Sequence, residues 1–291
     1  MLALEFVDFS INNLTGIIPD GLFLLKNLTF LFLYKNGLSG IIPQKVEAHK
    51  LQVLDLTENA LTGKIPEDFG KVKSLTGLAL FVNQLSGEIP VSISRLPNLV
   101  DLRLYSNKLS GVLPPAFGRF SPLKRFQVSD NQFVGELPKY LCANKVLIGL
   151  SAYGNKLTGK LPESLGNCHS LEIIRVQDNQ FSGQLPNIIS WRNLTTLNLS
   201  RNNLSGEIPA ALGLLQGLAY LDLSRNGFWG QIPPELGQLR LISLNLSSNS
   251  LSGRVPQKLE KAAFKCSFLD NPRLCSNYKL LGLRRCNATT G

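Results

Sequence analysis

The chain has 291 residues, 44% of them hydrophobic and 17% charged, a globular balance with no low-complexity tract. Its formal charge of +10 is concentrated in the tail: Arg254, Lys258, Lys261, Lys265, Arg273, Lys279, Arg284 and Arg285 meet only Glu260 and Asp270. The rest mixes both signs, so the chain lacks the basic stripe interleaved with aromatics that nucleic acid requires, and such a tail suits a membrane surface better.

No stretch reaches the ~18 apolar residues of a membrane span. Met1 to Ser10 carries two acids and no basic start, unlike a signal peptide. A fixed period then runs along the chain through Asn12, Asn36, Asn59, Asn83, Asn107, Asn131, Asn155, Asn179, Asn202, Asn226 and Asn249, at spacings of 23 or 24 residues. Four residues after each comes a glycine, from Gly16 to Gly253, and three further on a proline, from Pro19 to Pro256.

The repeat reads L-x-x-L-x-L-x-x-N-x-L-S-G-x-I-P, as in Leu99 to Pro114. Its L-x-L stretch alternates with period two, which sends Leu102 and Leu104 into a core and Arg103 and Tyr105 outward. The asparagine amide can donate and accept, satisfying backbone groups that a buried turn leaves orphaned. Glycine permits a backbone that a Cβ would hinder, and proline ends strand pairing and begins the return. One repeat cannot bury its leucines alone, so neighbours must stack. The pattern predicts an α/β repeat over residues 1–256: a right-handed leucine-rich-repeat solenoid of eleven repeats, with a parallel inner sheet and loops or 3₁₀ turns outside.

Function must then be read from the outward positions of the inner strands. Two residues before each asparagine the column runs Ser10, Tyr34, Thr57, Phe81, Tyr105, Ser129, Tyr153, Gln177, Ser200, Ser224, Ser247; four before, it includes Phe32, Arg103, Gln127 and Arg175. Aromatics on an uncovered sheet are explained either by cross-strand packing or by a groove for an extended peptide. Tyr34 to Tyr153 spans five strand steps, ~24 Å, enough for about seven extended residues. Candidate ligand-binding residues are Phe32, Tyr34, Phe81, Arg103, Tyr105, Arg125, Gln127, Tyr153 and Arg175. The two histidines, His49 and His169, fall on outer returns five repeats apart, and no phosphate loop, nucleophile elbow or kinase signature occurs. No catalysis, metal or cofactor is expected.

Cys142 and Cys168 fall on the outer returns of adjacent repeats, where their Cα atoms can come within disulfide range; reduced buried thiols are the alternative. Sequons at Asn13, Asn27, Asn193, Asn198, Asn203, Asn245 and Asn287 agree with secretion, although the repeat text itself forces several.

The continuation L-S/T-G-x-I/L-P, as in Leu61 to Pro66, resembles the plant-specific leucine-rich repeat, and Ser267 to Cys275 resembles the segment that closes ectodomains of plant receptor-like kinases. Leu141-Cys142 followed by Gly166-Asn167-Cys168-His169-Ser170-Leu171 is similar to the HAESA-like peptide-hormone receptors. The resemblance implies a C-terminal cap over 257–291, running into a juxtamembrane tail and stapled by Cys275 and Cys286, with Cys266 left over or competing for Cys275. It implies a secreted peptide ligand, a leucine-rich-repeat co-receptor kinase docking near the last repeats, and a place outside the plasma membrane. Receptors of this branch read the peptide carboxylate with Arg-x-Arg in one inner strand. Here the matching strand is Ile173-Ile174-Arg175, so only Arg175 carries over, and Arg103 and Arg125 are alternatives. Intact members also carry a signal peptide, a cysteine-bearing N-terminal cap, a membrane helix and a kinase, which makes a truncated product the expectation. A secreted cell-wall inhibitor resembling the polygalacturonase-inhibiting proteins, and a non-functional fragment, are the competing readings.

Overall fold

Each L-x-L segment is too short to be stable alone, and in a computed structural model, which describes residues 4–286, each finds its partner one repeat away. The chain divides into two compact units, Met1–Lys156 and Leu157–Gly291. In the first unit, Phe6–Asp8, Phe30–Phe32, Val53–Asp55, Gly77–Ala79, Asp101–Arg103, Arg125–Gln127 and Gly149–Ser151 pair in parallel and in register. In the second, Ile173–Arg175, Thr196–Asn198, Tyr220–Asp222 and Ser243–Asn245 do the same. The middle residue of every one of these strands is buried, from Val7 through Leu102 to Leu244.

The asparagines join one turn to the next. Asn107 donates from Nδ2 to the carbonyls of Leu104, Tyr105 and, one repeat back, Leu80, while its Oδ1 accepts from the amide of Leu85 at 3.0 Å. The same four contacts recur at Asn36 and Asn131 in the first unit and at Asn202 and Asn249 in the second. The ladder does not stop at the last motif asparagine. Asn271, inside the expected cap, donates to Leu246, Phe268 and Leu269 and accepts from Leu251, so the cap begins as a further turn of the array.

Aiming that amide requires a left-handed residue immediately before it. Ile11, Lys35, Glu58, Val82, Ser106, Asp130, Asp178, Arg201, Arg225, Ser248 and Asp270 all have φ between +49° and +56°, and Gly154 takes the place in the seventh repeat. Nothing in so mixed a column announces the conformation. The motif glycine is legible by contrast. Gly111 has φ +79°, and a Cβ there would lie 2.6 Å from Glu88 Cγ in the preceding repeat.

The stretch after the asparagine is more regular than the sequence suggested. Leu-Ser-Gly segments form a further parallel sheet in each unit, pairing Lys108–Val112 with Gln132–Gly135 in the first and Gly227–Gln231 with Ser250–Arg254 in the second. In the second unit this sheet continues into the cap at Arg273–Cys275. Pairing ends at the motif proline as expected. Pro66, Pro90 and Pro209 then start 3₁₀ turns at Glu67–Lys71, Val91–Arg95 and Ala210–Leu214, each accepting the first amide of the turn through its carbonyl. These turns close the core with Phe69, Ile93 and Leu212.

Two stability measurements test this scheme. Asn107→Ala removes four hydrogen bonds and orphans the Leu85 amide, while the carbonyls of Leu80, Leu104 and Tyr105 keep Asn83, Asn131 and the Val82 amide as donors, so urea unfolding should show a loss of about 1–3 kcal/mol. Val82→Gly removes a β-branched, exposed residue from a left-handed position and should raise stability by about 1 kcal/mol.

Candidate ligand-binding face

In-register pairing brings the outward residues of successive repeats side by side, so the first unit's first sheet can be read as a surface. It opens with an aromatic cluster. Phe6 lies 6.0 Å from Phe30 and 5.8 Å from Phe32, centroid to centroid, and is 56% exposed. Phe6 and Phe30 stand six residues before their asparagines, in the third outward column that the period-two alternation implies and to which Arg125 also belongs. Next comes Asp55, whose carboxylate accepts the amide and hydroxyl of Thr57. Gly77 and Ala79 follow, leaving a low floor beside Phe81.

Phe81 and Tyr105 stack at 4.3 Å with ring planes 12° apart. Cross-strand packing is therefore real for this pair, yet both rings remain half-buried rather than covered. Burial pushes the Tyr105 phenol up in pKa, with Arg103 opposing. Asp101 then holds two guanidiniums, donating partners on its own and the next strand: Arg103 at 2.7 Å and Arg125 at 3.3 Å. The hydrogen bond to Asp101 raises the Arg103 pKa further. Gln127, Ser129 and Tyr153 complete the surface. Tyr34 and Phe32 sit near its aromatic end, both half-buried.

Ser129 breaks a rule that the other repeats keep. Where the column two before the asparagine holds Ser or Thr, the residue two earlier is Asp or Asn and accepts its hydroxyl, as in Asp8–Ser10, Asn198–Ser200, Asp222–Ser224 and Asn245–Ser247. At Ser129 that residue is Gln127, and the hydroxyl has no partner among the described residues although Ser129 is 1% exposed.

Arg175 lies in the second unit, exposed on strand Ile173–Arg175, and no ion pair involves it among the described residues; Asp178 pairs with Arg201 instead. Cys275 is joined to Cys286 with Cα atoms 4.9 Å apart, Cys142 and Cys168 are each disulfide-bonded, and Cys266 is free and exposed, so it does not displace Cys286 from Cys275. Of the sequons, Asn13, Asn193 and Asn203 are exposed. Asn27 accepts from Lys50, Asn193 donates to the His169 carbonyl, and Asn198 and Asn245 are tied to their serines. Asn287 lies outside the described residues. His49 and His169 are exposed, and among the described residues no cluster of His, Cys, Asp and Glu could hold a metal.

Stacked parallel strands joined by an asparagine ladder define the leucine-rich-repeat class, and residues 50–72, 98–120, 147–168, 193–215, 217–239 and 240–262 match the Leucine Rich Repeat family. Within that class the chain has the fold of plant leucine-rich-repeat receptor-kinase ectodomains. It superposes on the Arabidopsis receptor kinase HAESA, solved in complex with the peptide hormone IDA and the co-receptor SERK1, with a TM-score of 0.86 and 35% identity over 96% of this chain and 51% of that one. Over 51 residues, 18% of this chain and 6% of the relative, it is 57% identical to Receptor-like protein 52 of Arabidopsis thaliana. A plant ice-binding protein shares the fold at a TM-score of 0.67 and 29% identity, covering 97% of this chain and 84% of that one. The chain thus spans about half of the HAESA structure and a small part of its curated relative. No helix among the described residues is long and apolar enough to cross a membrane.

The aromatic stack can be weighed directly. A double-mutant cycle with Phe81→Ala and Tyr105→Ala should return a coupling of about 1 kcal/mol in thermal or urea unfolding, and additive effects would mean that the rings do not support each other.

Proposed function

We propose that this chain is ligand-reading ectodomain of a plant cell-surface receptor, and that an extended secreted peptide lies across the first unit's first sheet. The observation that carries the reading is the succession of half-buried aromatics and arginines on a face whose backbone is already fully paired. Tyr, Phe and Arg concentrate binding energy at interfaces because they offer large rigid area or several donors at modest entropic cost. A peptide crossing the strands at one residue per ~3.4 Å passes Tyr34, Phe81, Tyr105, Gln127 and Tyr153 in about seven residues. Arg175 is a separate, unpaired cation for a peptide carboxylate.

HAESA was solved with a peptide hormone and a co-receptor, which supports both partners here. The Ser- and Asn-rich outward face of Thr196 to Ser248 suits a polar, ligand-dependent contact with a co-receptor kinase. Disulfides and sequons suit the extracellular side of the plasma membrane. An ice-binding surface needs a flat, uniform face, and Lys64 and Glu88, just past strands Ala60–Gly63 and Gln84–Gly87 of the first unit's second sheet, and the exposed Trp229 in the second unit's interrupt any such rank. A cell-wall inhibitor resembling the polygalacturonase-inhibiting proteins would instead bind and inhibit a pectinase.

The immobilised chain should retain members of a random heptapeptide library. A Phe81→Ala, Tyr105→Ala double variant should retain them at least about tenfold more weakly, with a melting temperature still well above that of assay. Equal retention by both proteins rejects the groove.

A further inference from the structure

The cap is where the chain's charge collects. Residues 254–285 carry eight Arg and Lys side chains against two carboxylates, and so hold more than half of the formal charge of +10. All eight cations are exposed, and no ion pair involves any of them among the described residues. The two carboxylates are engaged with hydroxyls instead: Glu260 accepts from Ser276 at 2.6 Å and Asp270 from Ser248 at 3.1 Å. Like charges crowded in this way repel one another, and a polyanion is the partner that relieves the repulsion.

These cations stand on ordered structure. Arg254 ends strand Ser250–Arg254, Arg273 begins strand Arg273–Cys275, and the two strands pair in parallel at the edge of the second unit's further sheet. Arg284 lies across that edge, donating from Nε to the Leu274 carbonyl at 3.3 Å and from Nη2 to the Arg273 carbonyl at 3.0 Å. Three of its five N–H groups are left for something outside. The Cys275–Cys286 disulfide closes the loop that carries Lys279, Arg284 and Arg285. Leu281 anchors that loop in the core, while Tyr278 and Leu280 beside Lys279 stay in the open, Leu280 at 60% exposure.

The same disulfide narrows the choice of polyanion. Disulfides persist in oxidising compartments, whereas nucleic acid and the anionic inner leaflet of the plasma membrane face the reducing cytosol. Outside a plant cell the abundant polyanion is acidic polysaccharide. A linear polyuronate carries a carboxylate on every sugar. Guanidinium grips such a group with parallel N–H bonds and ammonium meets it as a point charge. Its rings turn C–H faces outward, which suit exposed apolar side chains such as Tyr278 and Leu280.

We propose that the cap, residues 254–285, is a docking surface for an acidic cell-wall polysaccharide of the polyuronate class. The surface lies in the second unit and uses none of the residues assigned to the peptide. It rests on the extracellular location alone, so it can fail while the groove stands, and the reverse.

The probe is immobilised polygalacturonate, with its methyl ester beside it as the same sugar chain without charge. Wild type should be retained on the acid at low ionic strength, released as salt rises, and held at least about tenfold more weakly by the ester. A fourfold variant, Arg254→Gln, Lys258→Gln, Arg273→Gln and Lys279→Gln, should lose about tenfold or more in affinity and show a shallower salt dependence. Its melting temperature should be unchanged, because none of these side chains makes a hydrogen bond in the fold. A matched variant in the first unit, Lys26→Gln, Lys64→Gln, Lys108→Gln and Lys124→Gln, removes the same charge and should lose less than about twofold. Equal losses in the two variants would reduce the effect to net charge, and equal retention on acid and ester would remove charge from it. Either result overturns the docking surface, as does absence of retention. Capture by vesicles of phosphatidylserine and phosphatidylcholine that soluble polygalacturonate cannot compete away also overturns it, and would assign the cap to a membrane.

Discussion

One side chain amide, repeated at every turn, holds this fold together. Asparagine fits because its short side chain carries two N–H donors and a carbonyl acceptor in one plane, and the turn presents three carbonyls and one amide within reach. Aspartate lacks the donors, glutamine sets the amide one methylene too far, and serine cannot span two repeats. The cost is met one residue earlier, where the backbone adopts a left-handed conformation whatever the residue type, valine and isoleucine included. Each turn thereby depends on its neighbour more than on itself, as a one-dimensional array requires. Asn271 shows that the cap closes the array by continuing the same device before departing from it.

A backbone satisfied in this way frees the outward columns to vary. A buried apolar residue at the middle of each strand, usually leucine, does the folding, so Phe, Asp, Gly or Arg can occupy the positions on either side without disturbing the register. Some of this freedom is reinvested in stability: the Asp or Asn that accepts a following Ser or Thr reinforces the strand end in five repeats. The remaining repeats of the first unit, holding Phe32, Phe81, Arg103, Arg125 and Tyr153, do not use that device. The division is physical, since a side chain engaged in bracing its own strand has fewer bonds left for a ligand.

Asp101 illustrates how a structural and a recognition role merge. Pairing with Arg103 is a local, partly exposed contact whose effect on stability is modest. Its consequence is geometric. It orients two guanidiniums on neighbouring strands, and with the Phe81–Tyr105 stack beside them it converts a row of flexible side chains into a surface of defined relief.

The sequence by itself determined the period, the buried leucines, the role of the ladder asparagine and the motif glycine, and the outward columns, because each follows from alternation and from backbone groups that must be satisfied somewhere. The aromatics at Tyr34, Phe81, Tyr105 and Tyr153 were legible for the same reason. Only the tertiary structure decided that the Leu-Ser-Gly stretch pairs as a second sheet, since that pairing is with a neighbouring turn and leaves no local signature. Only it decided that Arg103 and Arg125 share Asp101, and that Arg201 rather than Arg175 takes Asp178. Residues about 24 apart in the chain meet at one strand spacing, and which of them touch depends on side-chain direction and occupancy that no spacing encodes.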